Sequence, residues 1–260
     1  MANFNVEKRN IKGGAVAYIG IATNDQNSVT RTQLLEFKDV LTQLNSDPSI
    51  RGFVIHSKNE KFFCNGVDAQ NIANTPREQL AEEMGEIVKF FVFLTKIHKP
   101  MIAEIGGYAM GGGAVIALAC DYRFMLTGKA RVSFTEVFFG LPLPGVFIDK
   151  IKETVLSQHV TDMIYGGAYK AEEAKMIGFI DEIAEDRDSL SDMVQKKMEN
   201  ILRIPTSAFE KTKESRNILL SKNELEHMEA LKTNFANPVI QTNLYEAMKA
   251  FNEKRKPEFI

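Results

Sequence analysis

The chain has only two cysteines, Cys64 and Cys120, in 260 residues, and neither stands in a Cys-x-x-Cys or Cys/His cluster with metal-ligand spacing. A structural metal therefore does not fit, and a reduced cytoplasm does. No apolar run approaches the roughly 20 residues that a membrane span needs. Met1 to Gly14 lacks the apolar stretch of a secretory signal, and the terminal Glu258, Phe259 and Ile260 match no peroxisomal address. An excess of either charge is also missing: 32 basic and 34 acidic residues leave a formal net charge of -2, which provides no field for nucleic acid. Internal repeats, low-complexity tracts and long linkers are absent, so one compact unit with a helical extension is expected.

What is present is an ordinary soluble composition, 44% hydrophobic and 25% charged, arranged in alternating strand-like and helix-like stretches. Gly14 to Ala22 and Gly52 to Ser57 read as strands, with an amphipathic helix over Thr32 to Asn45 between them. A long helix is predicted over Arg77 to Ile97. Met101 to Ile105 is too short for a helix and is bounded by Pro100 and Gly106, so it reads as a buried strand. Asp121 to Leu126 and Arg131 to Phe134 continue the strand pattern. Strands alternating with helices are the signature of crossover units in a largely parallel sheet. From Gly145 the pattern turns helical, broken by a strand-like stretch at Phe179 to Ala184, and Leu190 to Lys254 is helical and rich in charge.

The buried strand feeds a glycine run, Gly111 to Gly113, followed by the wholly apolar Ala114 to Ala119, which suits a helix buried in the core. Glycines there permit a sharp turn and close approach of a ligand to the backbone. The unpaired amides of a helix start favour negative charge. The spacing matches neither G-x-G-x-x-G nor G-x-x-x-x-G-K-[ST], so a developing oxyanion is a better ligand than phosphate. A second turn, Phe62 to Asp68, precedes another helix with Asp68 as its expected N-cap. Two such turns in consecutive crossover units should open on the same side of the sheet, where their amides can converge.

These residues, Ser57 to Asp68, Lys99-Pro100, Gly107-Tyr-Ala-Met-Gly-Gly-Gly113 and Cys120-Asp-Tyr-Arg123, resemble the crotonase, or enoyl-CoA hydratase/isomerase, superfamily over nearly the whole chain. The resemblance implies an α/β crotonase-like (ClpP/crotonase) fold: a repeated ββα core over 1-190, with a C-terminal helical trimerisation region over 191-260. It implies a coenzyme A thioester as substrate rather than a separate cofactor, and a homotrimer or a hexamer made of two trimers. It also implies an oxyanion hole from the N–H groups of Val67 and Gly112. Asn27, Cys64, Asn65, Gly66, Asp68, Gly111 and Leu141 would line the substrate path, with Ser28 in the covering loop and Ala208, Phe209 and Lys211 in a segment near the nucleotide. Lys211 itself reads as a solvated helix charge.

Hydratases of this superfamily use two glutamates, and the first position here is Val115, which can neither accept a proton nor orient water. The second position is Glu136. One carboxylate suffices for a 1,3 proton shift, because the same base can take a proton from C2 and return it to C4. The Ala119-Cys-Asp-Tyr-Arg123 wording, the spacing from Glu136 to Gly140, and Pro144 followed by Asp149 are similar to Δ3,Δ2-enoyl-CoA isomerases of β-oxidation. The implied activity is isomerisation of 3-enoyl-CoA to trans-2-enoyl-CoA. Decarboxylation or hydrolysis of an acyl thioester is the enzymatic alternative, and a CoA-thioester binding protein without catalysis is another. Apolar neighbours Val137, Phe138 and Phe139 should raise the Glu136 pKa by desolvation. Glu104 reads as a strand-end residue satisfied by a neighbouring donor, and His56 and His98 as structural.

Overall fold

The computed structural model describes residues 3–260. Its main sheet contains β1 (Phe4–Ile11), β2 (Gly14–Ile21), β3 (Ile50–His56), β5 (Met101–Ile105), β7 (Tyr122–Leu126) and β9 (Glu182–Ala184), in that spatial order. All neighbours are parallel except β1, which pairs antiparallel with β2. A smaller parallel sheet joins β4 (Phe62–Cys64), β6 (Tyr108–Met110) and β8 (Val132–Ser133).

The two sheets reveal a repeated ββα unit that leaves no sequence repeat. In each unit the first strand enters the large sheet and the second enters the small one. A helix then returns: α2 (Ala69–Asn74) and α3 (Leu80–Lys96) after β4, α4 (Gly112–Ala119) after β6, and α5 (Gly145–Thr154) after β8. The long helix expected from Arg77 starts at Leu80, behind a 3-10 turn at Arg77–Gln79.

Strand β1 was not visible in the pattern because it lies at the sheet edge. Of FNVEKRNI, Phe4 alone is buried, and the charged remainder blunts further pairing. By contrast α1 (Arg31–Ser46) is legible in sequence. Thr30 and Gln33 form a capping box at its start, and Leu34, Phe37, Leu41 and Leu44 fall on one buried stripe.

Strand alternation divides the core into two layers. Ala17, Ile19, Phe53, Ile55, Met101, Ala103 and Ile105 face the larger layer with α1, α3 and α4. Val16, Tyr18, Val54, Ile102 and Phe124 face the opposite side, where Leu190, Val194, Met198 and Ile201 of α8 (Arg187–Ile201) cover them. The expected boundary at residue 190 thus runs through a helix that belongs to the sheet's own layering. Beyond it come α9 (Thr206–Arg216), α10 (Ile218–Lys222), α11 (Glu224–Ala236) and α12 (Pro238–Asn252).

A buried charge cluster ties this helical region to the sheet. Asp121 Oδ2 accepts from Met101 N at 2.9 Å and from Lys213 Nζ at 2.7 Å, while Oδ1 accepts from Arg216 at 2.6 Å. Burial alone would raise the Asp121 carboxyl, but the two cations outweigh it and hold the group below its ordinary value. Lys213→Met leaves that carboxylate without its buried cation and is expected to destabilise the fold at neutral pH by about 3 to 5 kcal/mol in urea unfolding. A depressed carboxyl contributes stability above its unfolded pKa, lost as pH falls through the folded one. The deficit should therefore shrink below the ordinary carboxylate value of 3.8, and equal stability at pH 7 would show that the pair contributes nothing.

Candidate active site

Parallel pairing of β4 with β6, Phe62 opposite Tyr108 and Cys64 opposite Ala109, lays the turns after these strands side by side. The backbones touch. A Cβ on Gly66, whose φ is +82°, would stand 2.8 Å from Gly112 N, and one on Gly113 would overlap the Cys64 carbonyl oxygen. Side chains are thus excluded between the turns.

Two amides beside this contact, those of Val67 and Gly112, belong to residues that line the cleft. Val29 N donates to Gly66 O at 2.8 Å, and Asp68 N donates to Val29 O at 3.0 Å. In extended backbone successive N–H groups alternate in direction. The Val67 N–H therefore points away from Val29. On the other turn Gly111 N donates to Ser133 O at 2.8 Å. The next amide, Gly112, opens α4, where helix N–H groups have no partner within the helix.

Opposite these amides, Glu136 begins a 3-10 turn, Glu136–Phe139, ended by Gly140 with φ +70°. Leu141 N donates to the Glu136 carbonyl at 3.0 Å, which fixes the turn. Both Glu136 Oε1 and Thr135 Oγ1 face the open side of Gly111, 3.7 and 3.0 Å from where its Cβ would sit. Glu136 Oε2 is buried without a hydrogen-bond partner among the described residues. Burial pushes the carboxyl up to about 7, opposed only in part by its own backbone amide. The group can therefore gain and lose a proton near neutrality, as a general acid/base requires.

The cleft has a volume of about 500 Å³. Gly66, Val67, Gly111, Gly112 and Glu136 meet at its centre, and Asn65, Asp68 and Leu141 lie along its walls. Asp68 is the N-cap of α2, accepting from Asn71 N at 2.8 Å, and its other oxygen accepts from the Ser28 hydroxyl at 2.7 Å. Asn65 Nδ2 donates to Gln26 Oε1 at 2.8 Å.

Two expected substrate contacts are corrected. Asn27 is buried, in a left-handed turn with φ +50°, and its amide donates to Ser57 Oγ and to the carbonyls of Phe62 and Phe63. It holds the β4 turn from behind and does not line the cleft. The Cys64 side chain is turned into the core, which pushes its thiol up to about 12. Only its carbonyl lies near the glycine run.

Val115, Glu104, His56 and Lys211, also singled out in the sequence, lie outside the cleft lining, and Glu104 departs from its reading. Val115 is buried in α4 and offers the cleft no surface. Glu104 shares the Ile102 side of β5, away from the cleft. Its Oε2 lacks the expected donor among the described residues, and burial raises its pKa despite Arg9 and Arg187 nearby. His56 lines a separate depression, and burial lowers it to about 4. Lys211 is an exposed helix charge paired with Glu214 at 2.7 Å.

Sequence reasoning missed Asn24, Asp25 and Gln26, and Met84, Met110, Met248 and Phe251, in the cleft lining, and named Phe139 only as an apolar neighbour of Glu136. Met84 gave only a core signal on α3. Met248 and Phe251 gave none, since nothing local says which surface α12 covers.

The raised Glu136 carboxyl yields a stability test independent of any substrate. Its stabilising neutral form is fully present below the ordinary value of 4.5 and is lost as pH rises through about 7. Glu136→Gln should match the native protein at pH 4 and unfold at higher urea concentration at pH 8. A native protein equally stable relative to the variant at both pH values would place the carboxyl in solvent. Comparison with known proteins identifies the family and the fold. Residues 12–260 match the family model for enoyl-CoA hydratase/isomerase. The chain is 28% identical to crotonyl-CoA hydratase of Syntrophomonas wolfei subsp. wolfei (95% of this chain, 94% of the relative), and 30% identical to (E)-benzylidenesuccinyl-CoA hydratase of Thauera aromatica (94% and 95%). The crystal structure of human mitochondrial delta3-delta2-enoyl-CoA isomerase superposes with a TM-score of 0.88 over 97% of this chain and 99% of that one, at 20% identity. The chain belongs to the enoyl-CoA hydratase/isomerase family, with the crotonase fold.

Proposed function

We propose that the protein isomerises 3-enoyl-CoA to trans-2-enoyl-CoA, with Glu136 as the single acid/base and the Val67 and Gly112 amides holding the thioester oxygen. The observation that carries this reading is one carboxyl, pushed up to about 7, lining the same cleft as Val67 and Gly112, while Val115 at the other expected acid position is buried and outside that lining. Ionised Glu136 takes the proton from C2, and the electron pair moves onto the thioester oxygen to form a dienolate. The amides stabilise that oxyanion, and losing one such donor costs roughly 3 to 4 kcal/mol. The dienolate then collapses as Glu136 returns the proton to C4, leaving the double bond at C2. Atoms and charge balance, and water is not consumed.

The cleft supports the same substrate class by its two unlike sets of lining residues. Asn24, Gln26, Ser28 and Asn65 suit the amides of a pantetheine arm, whereas Met84, Phe139, Leu141, Met248 and Phe251 suit hydrocarbon. Exposed Ile218, Leu219 and Leu225 on the C-terminal helices support assembly into a trimer or a hexamer.

Glu136→Gln is expected to lower turnover of 3-hexenoyl-CoA by about 100- to 10,000-fold while affinity for the saturated thioester stays within error. Because the base works ionised, native kcat/KM should rise with pH and level off above about 7. Hydration of crotonyl-CoA faster than the double-bond shift, or unchanged turnover in the Gln variant, would overturn the assignment.

A further inference from the structure

We infer that Met248 and Phe251, on the chain's own last helix, limit the length of acyl chain the cleft accepts; this rests on the enoyl-thioester reading above. A thioester whose oxygen sits on the Val67 and Gly112 amides would bury its hydrocarbon against the large apolar side chains of the cleft, Met84, Met110, Phe139, Leu141, Met248 and Phe251. These walls are not equally free to yield. Met84, Leu141 and Met248 belong to the main core, and Leu141 is bonded through its backbone to Glu136. Displacing Met84 or Leu141 would shift packed neighbours and, for Leu141, the Glu136 turn itself.

The α12 wall is built differently. The helix is anchored by the residues before the wall: Arg77 donates to the Thr242 hydroxyl at 3.3 Å, Tyr245 hydroxyl donates to Thr75 O, and Asn243 packs where a Gly140 Cβ would be. Met248 and Phe251 follow Tyr245 at steps of three residues, so they share one helix face toward the cleft. Phe251 is 44% exposed, and its ring meets that of Phe139 at 5.9 Å and 58°. The half-exposed Phe251 ring can turn without moving the anchored part of the helix, and the buried Met248 thioether, flexible and unbranched, can change rotamer within the core. They form the compliant part of the cleft wall, and their bulk determines where a growing chain stops gaining buried surface.

Calorimetric titration with saturated acyl-CoA esters, from butyryl to palmitoyl, tests this without any reaction. Native affinity should rise by up to about fourfold per methylene and then flatten at one chain length. Phe251→Ala and Met248→Ala should each move that break to longer chains, Phe251→Trp should move it to shorter ones, and Val239→Ala, an exposed position elsewhere on α12, should leave it in place. A break that stays put in all the variants, or a loss of affinity equal at every length including butyryl, would overturn the inference. Failure of the double-bond shift with the break still moving would refute the isomerase reading alone. Affinity independent of chain length in the native protein would refute the placing of hydrocarbon against these side chains.

Discussion

The contact between the backbones of Gly66 and Gly112 is the constraint on which the rest of the site depends. Two parallel strands bring two turns so close that a single Cβ on Gly66 would stand 2.8 Å from the Gly112 nitrogen. Only because no side chain intervenes can amides from separate ββα units face the same point. The large sheet, the small sheet and the return helices hold that approach fixed, the rigidity that a pair of preorganised donors would need. The positive φ of Gly111 and the crowding at Gly113 are consequences of the same contact.

Two buried carboxyls show how differently one fold can treat the same chemical group. Asp121 is held ionised by Lys213 and Arg216 and by the Met101 amide, and it fastens the C-terminal helices to the sheet. Glu136 has no cation at hand, so burial dominates and the neutral form persists to about pH 7. The first arrangement favours a single protonation state, as a structural tie requires. The second leaves both states accessible, which is what proton transfer requires.

Helix α12 joins these themes. It packs against α2, abuts the Glu136 turn through Asn243 and Gly140, and supplies part of the apolar lining of the cleft. One element placed late in the chain therefore contacts both the acid/base segment and the wall that hydrocarbon would meet. The two functions need not vary together, since the anchoring residues precede the lining residues along the helix.

Much of this was legible locally. The strand-to-helix turns, the N-cap at Asp68 and the apolar helix after Gly113 follow from short-range chemistry, because turn glycines and caps act within a few residues of themselves. The edge strand β1 was not legible, since a strand with little buried surface carries no hydrophobic alternation. The sequence by itself determined the alternating architecture, the glycine turns and the candidate carboxyl at Glu136. Tertiary structure alone decided that Asn27 and Cys64 face inward, that Val115 is withdrawn from the cleft, that Glu104 lies across the sheet, and that Met248 and Phe251 line the cleft. The physical reason is direction: spacing along a chain says which residues share a face, but only packing says what that face meets.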